Sequence, residues 1–187
     1  MIKKLYHGTK YYFQEPDLNK SRYYKDFGRG FYLTTNEKQA GKWAVRNLAH
    51  NDRTHVAYIY EYDFQADSLE DLKILKLLEC NKEWLDFVAY QRTHFEETIE
   101  YDLIFDKMAD GQGGELAEVL EDYSRGKCSF EKAFAIAKSR GSYRDQYCFK
   151  TLRALQKIKR QRYAEVYNLN GSPKILKWHN VKEKTNG

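Results

Sequence analysis

The stretch FGRGFYLTTN at residues 27–36 constrains this chain more than any other. Its two glycines permit backbone angles that other residues avoid, and they let a ligand approach the main chain. The β-prone residues that follow predict a strand over 30–35. Asn36 is a favoured helix N-cap, and Gln39 is spaced for the reciprocal cap, so we expect a helix over 36–51. A glycine loop, a strand and a helix therefore follow one another directly.

Two aromatic residues flank this strand–helix corner. Tyr32 lies at the end of the predicted strand, and Trp43 lies two turns into the predicted helix. Either residue alone is an ordinary core aromatic. Their spacing after the glycines suggests instead that two flat faces hold a planar ring between them.

The composition predicts a globular chain with a substantial core, since 42% of the 187 residues are hydrophobic and 16% are aromatic. We expect a single domain over residues 1–187, with a frayed polar tail at 180–187. The net charge of +5 suits phosphate-bearing ligands and is too small to indicate nucleic-acid binding by itself.

Cysteine use and hydropathy predict a cytoplasmic setting. The three cysteines are an odd number without CxxC spacing, which is typical of reduced thiols. The chain has no run of eighteen apolar residues, and the start MIKKLYHGT has no signal-peptide hydrophobic region. No membrane partner is expected, and export as an effector by another route is a second option. The histidines and cysteines lack metal-ligand spacing, so no metal site is predicted.

The remaining pattern predicts an α+β fold with short, mostly antiparallel strands and clustered helices. Residues 68–80 are ambiguous between helix and strand, and the glycine-rich segment 110–114 is a turn without the lysine of a P-loop. We expect further strands at 2–7, 55–64, 101–105, 143–149, 164–169 and 174–178, and further helices at 81–95, 115–125, 129–139 and 150–161.

Three motifs together carry a family resemblance. YHGT at residues 6–9, FGRGFYLT at 27–34 and Trp43, eleven residues after Tyr32, resemble the first half of an ADP-ribosyltransferase of the diphtheria-toxin and PARP branch. The chain is most similar to a bacterial domain family of unknown function placed in the same clan. Its members carry YHGT, FGxGFYLT, an A-x-x-WA helix and a late Gln-x-x-Phe strand. The resemblance spans roughly residues 4–160 and implies a core of two small, mainly antiparallel sheets with flanking helices.

The resemblance implies NAD as co-substrate and assigns roles to the motif residues. His7 would bind the adenosine ribose, and the Gly8 backbone would pair with the nicotinamide carboxamide. Tyr32 and Trp43 would hold the cationic nicotinamide ring by cation–π attraction. Thr9 and Arg29 complete the expected NAD-binding set, with Arg29 as a phosphate ligand or a solvated loop arginine.

The third motif of the resemblance falls on Gln146. Many relatives carry a glutamate here, which stabilises the positive charge that develops on the ribose as its glycosidic bond breaks. Gln146 can bind a ribose hydroxyl but brings no charge, while Asp145 should point to the opposite face of the strand. With His7 and Tyr32, Gln146 forms the expected catalytic set.

Several functions remain open from the sequence. The first is mono-ADP-ribosyl transfer to a macromolecular or small acceptor, in a toxin-like protein with a possible small antitoxin partner. The second is a catalytically inactive module that binds NAD or ADP-ribose or contacts proteins. The third, a nucleic-acid-binding domain, depends on a basic face of the expected 150–161 helix and its surroundings, formed by Arg153, Lys157, Lys159, Arg160 and Arg162.

Overall fold

The structure is a computed structural model that describes residues 1–95, 98–106, 114–139 and 145–181. The chain divides into two compact units. Unit 1 comprises Met1–Pro16, Leu33–Asp71 and Gln156–Gly187, and unit 2 comprises Asp17–Tyr32 and Leu72–Leu155.

The described ranges contain both strands and helices. The strands are β1 (Ile2–Thr9), β2 (Phe31–Leu33), β3 (Ala57–Gln65), β4 (Ile74–Leu77), β5 (Leu103–Asp106), β6 (Gln146–Phe149), β7 (Ile158–Leu169) and β8 (Ser172–Asn180). The helices are α1 (Glu37–Val45), α2 (Lys82–Thr93), α3 (Gly114–Ser124), α4 (Phe130–Ser139) and α5 (Leu152–Leu155). Two four-stranded sheets with these helices confirm the predicted α+β class.

The sheet of unit 1 has the strand order β1-β3-β7-β8, and its neighbouring strands are antiparallel. Side chains alternate between its two faces, as the period-two pattern of β3 predicts. Helix α1 covers one face. The core on that side is built from small and β-branched residues, which allow a helix to approach the sheet closely: Ala40, Ala44, Val45, Ala57, Ile59, Ala164 and Val166.

The other face of this sheet is aromatic. Phe13, from the segment after β1, stacks on Tyr60 with ring centroids 4.2 Å apart, and its N–H donates to the Tyr60 hydroxyl at 2.8 Å. Tyr163 of β7 stacks on His179 of β8 at 4.7 Å. Tyr60 and Tyr163, whose ring centroids lie 5.9 Å apart, therefore belong to an aromatic layer on this sheet face.

The sheet of unit 2 has the order β2-β6-β5-β4, with β5 antiparallel to β6 and parallel to β4. The Asn81 side chain accepts from the Trp84 N–H at 2.9 Å, which fixes the start of α2. Ser129 caps α4, accepting from the Lys132 N–H at 3.4 Å. The core side chains of this unit come mainly from the sheet and from α2, α3 and α4 and include Phe27, Leu77, Trp84, Leu85, Val88, Ile104, Leu116, Leu120, Ala133 and Cys148.

The prediction of a basic helix over 150–161 is wrong. Only the four-residue α5 forms there, and the chain then enters β7 at Ile158. The basic side chains are held by partners within their own unit. Arg153 pairs with Asp102 at 2.6 Å, Lys157 with Asp71 at 2.7 Å, and Arg162 with Glu61 at 2.6 Å, while Arg160 donates to the Phe13 carbonyl at 2.8 Å. The basic helix face that suggested nucleic-acid binding is therefore absent from this described segment.

Other boundaries differ less. Helix α1 ends at Val45 instead of near residue 51, and the ambiguous 68–80 segment yields the short strand β4. The hairpin between β7 and β8 turns at Asn170 and Gly171, whose φ angles of 50° and 83° suit a two-residue hairpin loop. Asn180, which was predicted to begin the frayed tail, still pairs with Arg162 in β8.

Three predictions fall partly outside the described residues. These are the turn at 110–114, of which only the last residue is described, the first residues of the 143–149 strand, and the tail at 182–187.

Candidate functional site

The His-Gly motif lies on β1, where the pleat sends consecutive residues to opposite faces. The His7 ring lies on the aromatic face of the unit 1 sheet, edge-on to Phe13 at 5.7 Å and tilted toward Tyr60 at 6.4 Å. His7 is half-buried. Its ring is thus positioned by aromatic packing as well as by the strand.

Gly8 faces the opposite side, where α1 crosses the strand. A Cβ atom on Gly8 would lie 1.7 Å from the Ala40 carbonyl oxygen and 2.6 Å from the Ala40 carbonyl carbon. Both atoms belong to the backbone of α1, so a flexible side chain cannot move aside. Glycine at this position is therefore required by the close approach of α1 to β1.

The polar groups of the Gly8 backbone point to the outer edge of the sheet. Tyr6 exchanges two backbone hydrogen bonds with Thr34, at 2.7 and 3.0 Å, so its N–H and C=O face away from β3. Backbone direction repeats every two residues in a strand, which gives Gly8 the same outward direction. Among the described residues, no backbone hydrogen bond outside the regular ladders involves Gly8. Its N–H and C=O therefore form an adjacent donor and acceptor at a strand edge.

Thr9 and Trp43, the other predicted site residues of unit 1, lie on the strand of the His-Gly motif and on the helix that packs against it. Thr9 ends β1, and its hydroxyl accepts from the Tyr11 N–H at 3.3 Å, which supports the turn after the strand. Trp43 is half-buried in α1, the helix that packs on Gly8.

The start of α1 shows one correction. Asn36 caps the helix as predicted, accepting from the Gln39 N–H at 3.1 Å. The reciprocal cap does not form, because the Asn36 N–H donates to the Thr34 hydroxyl at 3.1 Å, while that hydroxyl donates to the Gln39 side chain at 3.2 Å. The buried Thr34 hydroxyl thus takes the position expected for the glutamine.

The glycine loop belongs to unit 2, and its two positions require glycine for different physical reasons. Gly28 adopts a φ of 68°, a left-handed angle that favours glycine. Gly30 is required by space, since a Cβ there would lie 2.3 Å from the Cys148 sulfur and 3.1 Å from the Phe149 carbonyl oxygen. The Ser21 hydroxyl further fixes Gly30 by bonding its N–H at 2.7 Å and its C=O at 2.8 Å.

Arg29 points back into its own loop. Its guanidinium donates to the Tyr23 hydroxyl and to the Leu18 carbonyl, both at 3.0 Å, and lies over the Tyr23 ring at 4.9 Å. The sequence left open whether Arg29 binds a phosphate or is a solvated loop arginine. The structure shows a third role, in which Arg29 supports the loop that precedes β2.

Tyr32 is anchored through its hydroxyl. The hydroxyl donates to the Gly28 carbonyl at 2.7 Å and accepts from the Phe27 N–H at 3.1 Å, and the ring stacks on Phe27 with centroids 6.0 Å apart. Burial raises the pKa of Tyr32 well above the ordinary tyrosine value. The residue as a whole is half-buried, and its phenol is fixed by these contacts.

We expect Tyr32→Phe to lower the free energy of unfolding by about 1–3 kcal/mol, because it leaves the Phe27 N–H and the Gly28 C=O without their hydroxyl partner. Urea titration would measure the change. Tyr90→Phe, which alters an exposed tyrosine of α2, is the control and should change stability by less than about 0.5 kcal/mol. Equal stability of the two variants would contradict the anchoring role of the hydroxyl.

Gln146 begins β6 and lies on the same sheet face as Tyr32. Cys148, two residues further along β6, lies close enough to the Tyr32 hydroxyl to contribute, after burial, to raising its pKa. Gln146 and Cys148 share a face by the pleat, and β2 neighbours β6. The structure therefore brings two of the predicted residues, Tyr32 and Gln146, to one face of the unit 2 sheet.

The sequence interpretation missed Asp106, the last residue of β5. Asp106 is directly opposite Gln146 in the antiparallel ladder, and both side chains are buried, at 3% and 7% exposure. The Trp84 indole N–H donates to the Asp106 carboxylate at 3.2 Å. A signal was present in the sequence, since an aspartate directly follows the buried run Leu103-Ile104-Phe105. Without the strand pairing, nothing indicated that it lies beside Gln146.

The described residues contain neither a metal-binding cluster nor a membrane-spanning helix. No group of three or more His, Cys, Asp or Glu side chains there is arranged to hold a metal ion. The helices of that part of the chain are too short or too polar to cross a lipid bilayer.

The fold and motifs define an α+β protein with two four-stranded sheets, a His-Gly strand and a glycine loop that leads into a tyrosine strand. A family model described as a protein of unknown function (DUF3990) matches residues 3–160. The chain therefore belongs to the DUF3990 family. No curated protein and no solved structure shows a significant match to it.

Proposed function

We propose that this protein is an NAD-dependent mono-ADP-ribosyltransferase, related to the clan of the diphtheria toxin and PARP enzymes. In this reaction the bond between the nicotinamide nitrogen and ribose C1′ breaks, and its electron pair leaves with nicotinamide. A nucleophile of the acceptor then bonds to C1′ and loses its proton. The products are nicotinamide and the ADP-ribosylated acceptor.

The observation that carries this proposal is the strand edge at Gly8. A primary carboxamide has one acceptor oxygen and two N–H donors. The outward N–H and C=O of a single residue match that pair with two hydrogen bonds, which distinguishes the carboxamide from other groups and fixes its orientation. The approach of α1 to β1 explains why the position has no side chain that would interfere.

In this proposal the other motif residues position the parts of the NAD molecule. Tyr32 and Trp43 stack on the nicotinamide ring, whose positive charge favours aromatic faces by roughly 0.5–2 kcal/mol each. His7 binds the adenosine ribose, and Gln146 binds a hydroxyl of the nicotinamide ribose. Since the ring becomes neutral as it leaves, stacking favours the ground state and contributes orientation more than rate.

The proposal includes the expected setting and partners. The acceptor is a protein, a nucleic acid or a small nucleophile of the cytoplasm. A small antitoxin protein would inhibit a toxin-like activity. Thr9 and Arg29 enter as supports of the NAD-binding segments, because their polar atoms hold the turn after β1 and the loop before β2.

The first test is release of nicotinamide from NAD, followed by chromatography, with NAD labelled in its adenylate part to reveal the acceptor. We expect release by the wild-type protein and a loss of about a hundredfold in His7→Ala, because the ribose loses its orientation. His55→Ala is the matched control, since His55 is an exposed histidine of unit 1 paired with Asp52. A protein that binds NAD but transfers and hydrolyses nothing would instead be a binding module.

Binding can be followed separately by tryptophan fluorescence. We expect NAD to quench the emission, and the quenching to disappear in Trp43→Phe but to persist in Trp178→Phe, whose indole packs on Arg162 at 4.1 Å. Quenching that survives in Trp43→Phe would contradict the stacking role of Trp43.

Transfer that survives Gln146→Ala and is lost in His7→Ala would contradict the role of Gln146.

A further inference from the structure

The pair of Asp106 and Gln146 places a carboxylate beside Gln146, which the sequence alone did not indicate. The two residues are direct partners in the β5–β6 ladder, so their Cβ atoms lie about 5 Å apart on one face of the sheet. Ile104 and Cys148, two pairs further along the ladder and so on the same face, are also opposite each other and belong to the core of unit 2. Asp106 and Gln146 therefore extend that face to the end of the strand pair.

The Asp106 carboxylate is buried and held in place by a hydrogen bond. Asp106 is 3% exposed, and burying an ionised carboxylate is unfavourable unless it is paired or hydrogen-bonded. The indole N–H of Trp84, itself buried in α2, donates to it and fixes its position from the side of the helices.

We propose that the Asp106 carboxylate stabilises the positive charge on the nicotinamide ribose during ADP-ribosyl transfer, in the role that a glutamate at position 146 would otherwise have. This inference depends on the proposed function. As the C1′–nitrogen bond breaks, its electron pair leaves with nicotinamide, and positive charge develops on C1′ and the ring oxygen of the ribose. Gln146 binds a ribose hydroxyl, and Asp106 beside it supplies the negative charge.

A fixed charge acts on the rate in a characteristic way. It interacts with the charge that develops in the transition state and much less with the bound substrate, so its loss lowers kcat more than it changes KM. The same stabilisation is restored by any carboxylate at a similar place. These two properties distinguish an electrostatic role from a purely structural one.

The central experiment measures nicotinamide release by Asp106→Asn, which keeps the shape of the side chain and an oxygen acceptor for Trp84. We expect kcat to fall by about a hundredfold, as for loss of one electrostatic group in other enzymes, with KM for NAD changed by less than about threefold. Asp102→Asn is the matched control, because Asp102 is a buried carboxylate at the other end of the same segment, 5% exposed and bound to Lys73, Thr151 and Arg153. Its kcat per folded molecule should stay within about threefold of wild type.

Moving the carboxylate from position 106 to position 146 keeps the test decisive if the Asp106→Asn variant is less stable than the wild-type protein. In the double variant with Asp106→Asn and Gln146→Glu, the carboxylate moves to the partner strand, and we expect kcat to return to within about tenfold of wild type. Thermal unfolding of each variant gives the folded fraction. A double variant that is folded but remains as slow as Asp106→Asn would overturn the inference.

The outcomes separate this inference from the proposed function. An active wild-type protein whose rate is unchanged in Asp106→Asn, or equally reduced in Asp102→Asn, contradicts the role of Asp106 alone. A wild-type protein that binds NAD and never releases nicotinamide contradicts the transferase function, and the role of Asp106 in it is then wrong as well.

Discussion

Gly8→Ala should lower the free energy of unfolding by roughly 3–5 kcal/mol, which is at the upper end of single-substitution effects. The added Cβ would lie 1.7 Å from the Ala40 carbonyl oxygen, far inside any contact that real Cβ atoms make. Since that oxygen belongs to the backbone of α1, the whole helix must move away from β1. Denaturant unfolding followed by circular dichroism measures the loss.

A second glycine provides the control for this substitution. Gly126→Ala places a Cβ where no atom lies within 4 Å, at a φ of 69°, so it reports backbone strain without a clash. That strain costs about 1 kcal/mol. If Gly8→Ala and Gly126→Ala prove equally stable, α1 does not approach β1 as closely as the structure shows.

Glu61→Gln should have the second-largest effect, a loss of about 2–3 kcal/mol at pH 7. Glu61 is 4% exposed in the middle of β3, where it accepts from Arg162 at 2.6 and 2.9 Å and pairs with Lys4 at 3.1 Å. Removing its charge leaves Arg162 without its carboxylate. The loss is smaller than for a fully buried pair, because both cations are partly exposed and Lys4 keeps its contact with Asp63.

The same carboxylate contributes to the acid sensitivity of unit 1. Desolvation by burial acts to raise the pKa of Glu61, but hydrogen bonds from Arg162 and Lys4 outweigh it and hold the pKa below the ordinary value of 4.5. A group whose pKa is lower in the folded state stabilises the fold above its unfolded pKa, and this contribution disappears as the pH falls through the folded pKa. Glu61→Gln should therefore flatten the stability profile at pH values below 4.5.

Asp86→Asn is the matched control for the charge. Asp86 pairs with Lys82 on the exposed face of α2, and its side chain is 46% exposed. Such surface pairs contribute less than about 1 kcal/mol. Equal losses in Glu61→Gln and Asp86→Asn would show that the pair in β3 is no stronger than a surface ion pair.

The local parts of the candidate site were predictable from the sequence. Asn36 was expected to cap α1 and does so, and the glycines at 28 and 30 lie where a loop must bend or approach another strand closely. These features depend on residues near one another in the chain, so residue type and spacing are sufficient to predict them.

The prediction failed where a distant strand decides the conformation. Residues 150–161 contain helix-favouring lysine, arginine, glutamine and leucine, yet the segment from Ile158 onward pairs with β3, roughly a hundred residues earlier in the chain. The pairing of Ile158 with Phe64 and of Arg160 with Tyr62 in β3 outweighs a helix preference of less than about 1 kcal/mol per residue.

The amino-acid sequence by itself determined the α+β class, the positions of most strands and helices, and the motif residues His7, Gly8, Tyr32 and Trp43 as candidates for an NAD site. Only the tertiary structure decided which groups have their polar atoms at an open strand edge, and that Asp106 lies opposite Gln146. Residue type and spacing report local conformational preference. Strand register is set by long-range pairing and side-chain packing, which no short stretch of sequence contains.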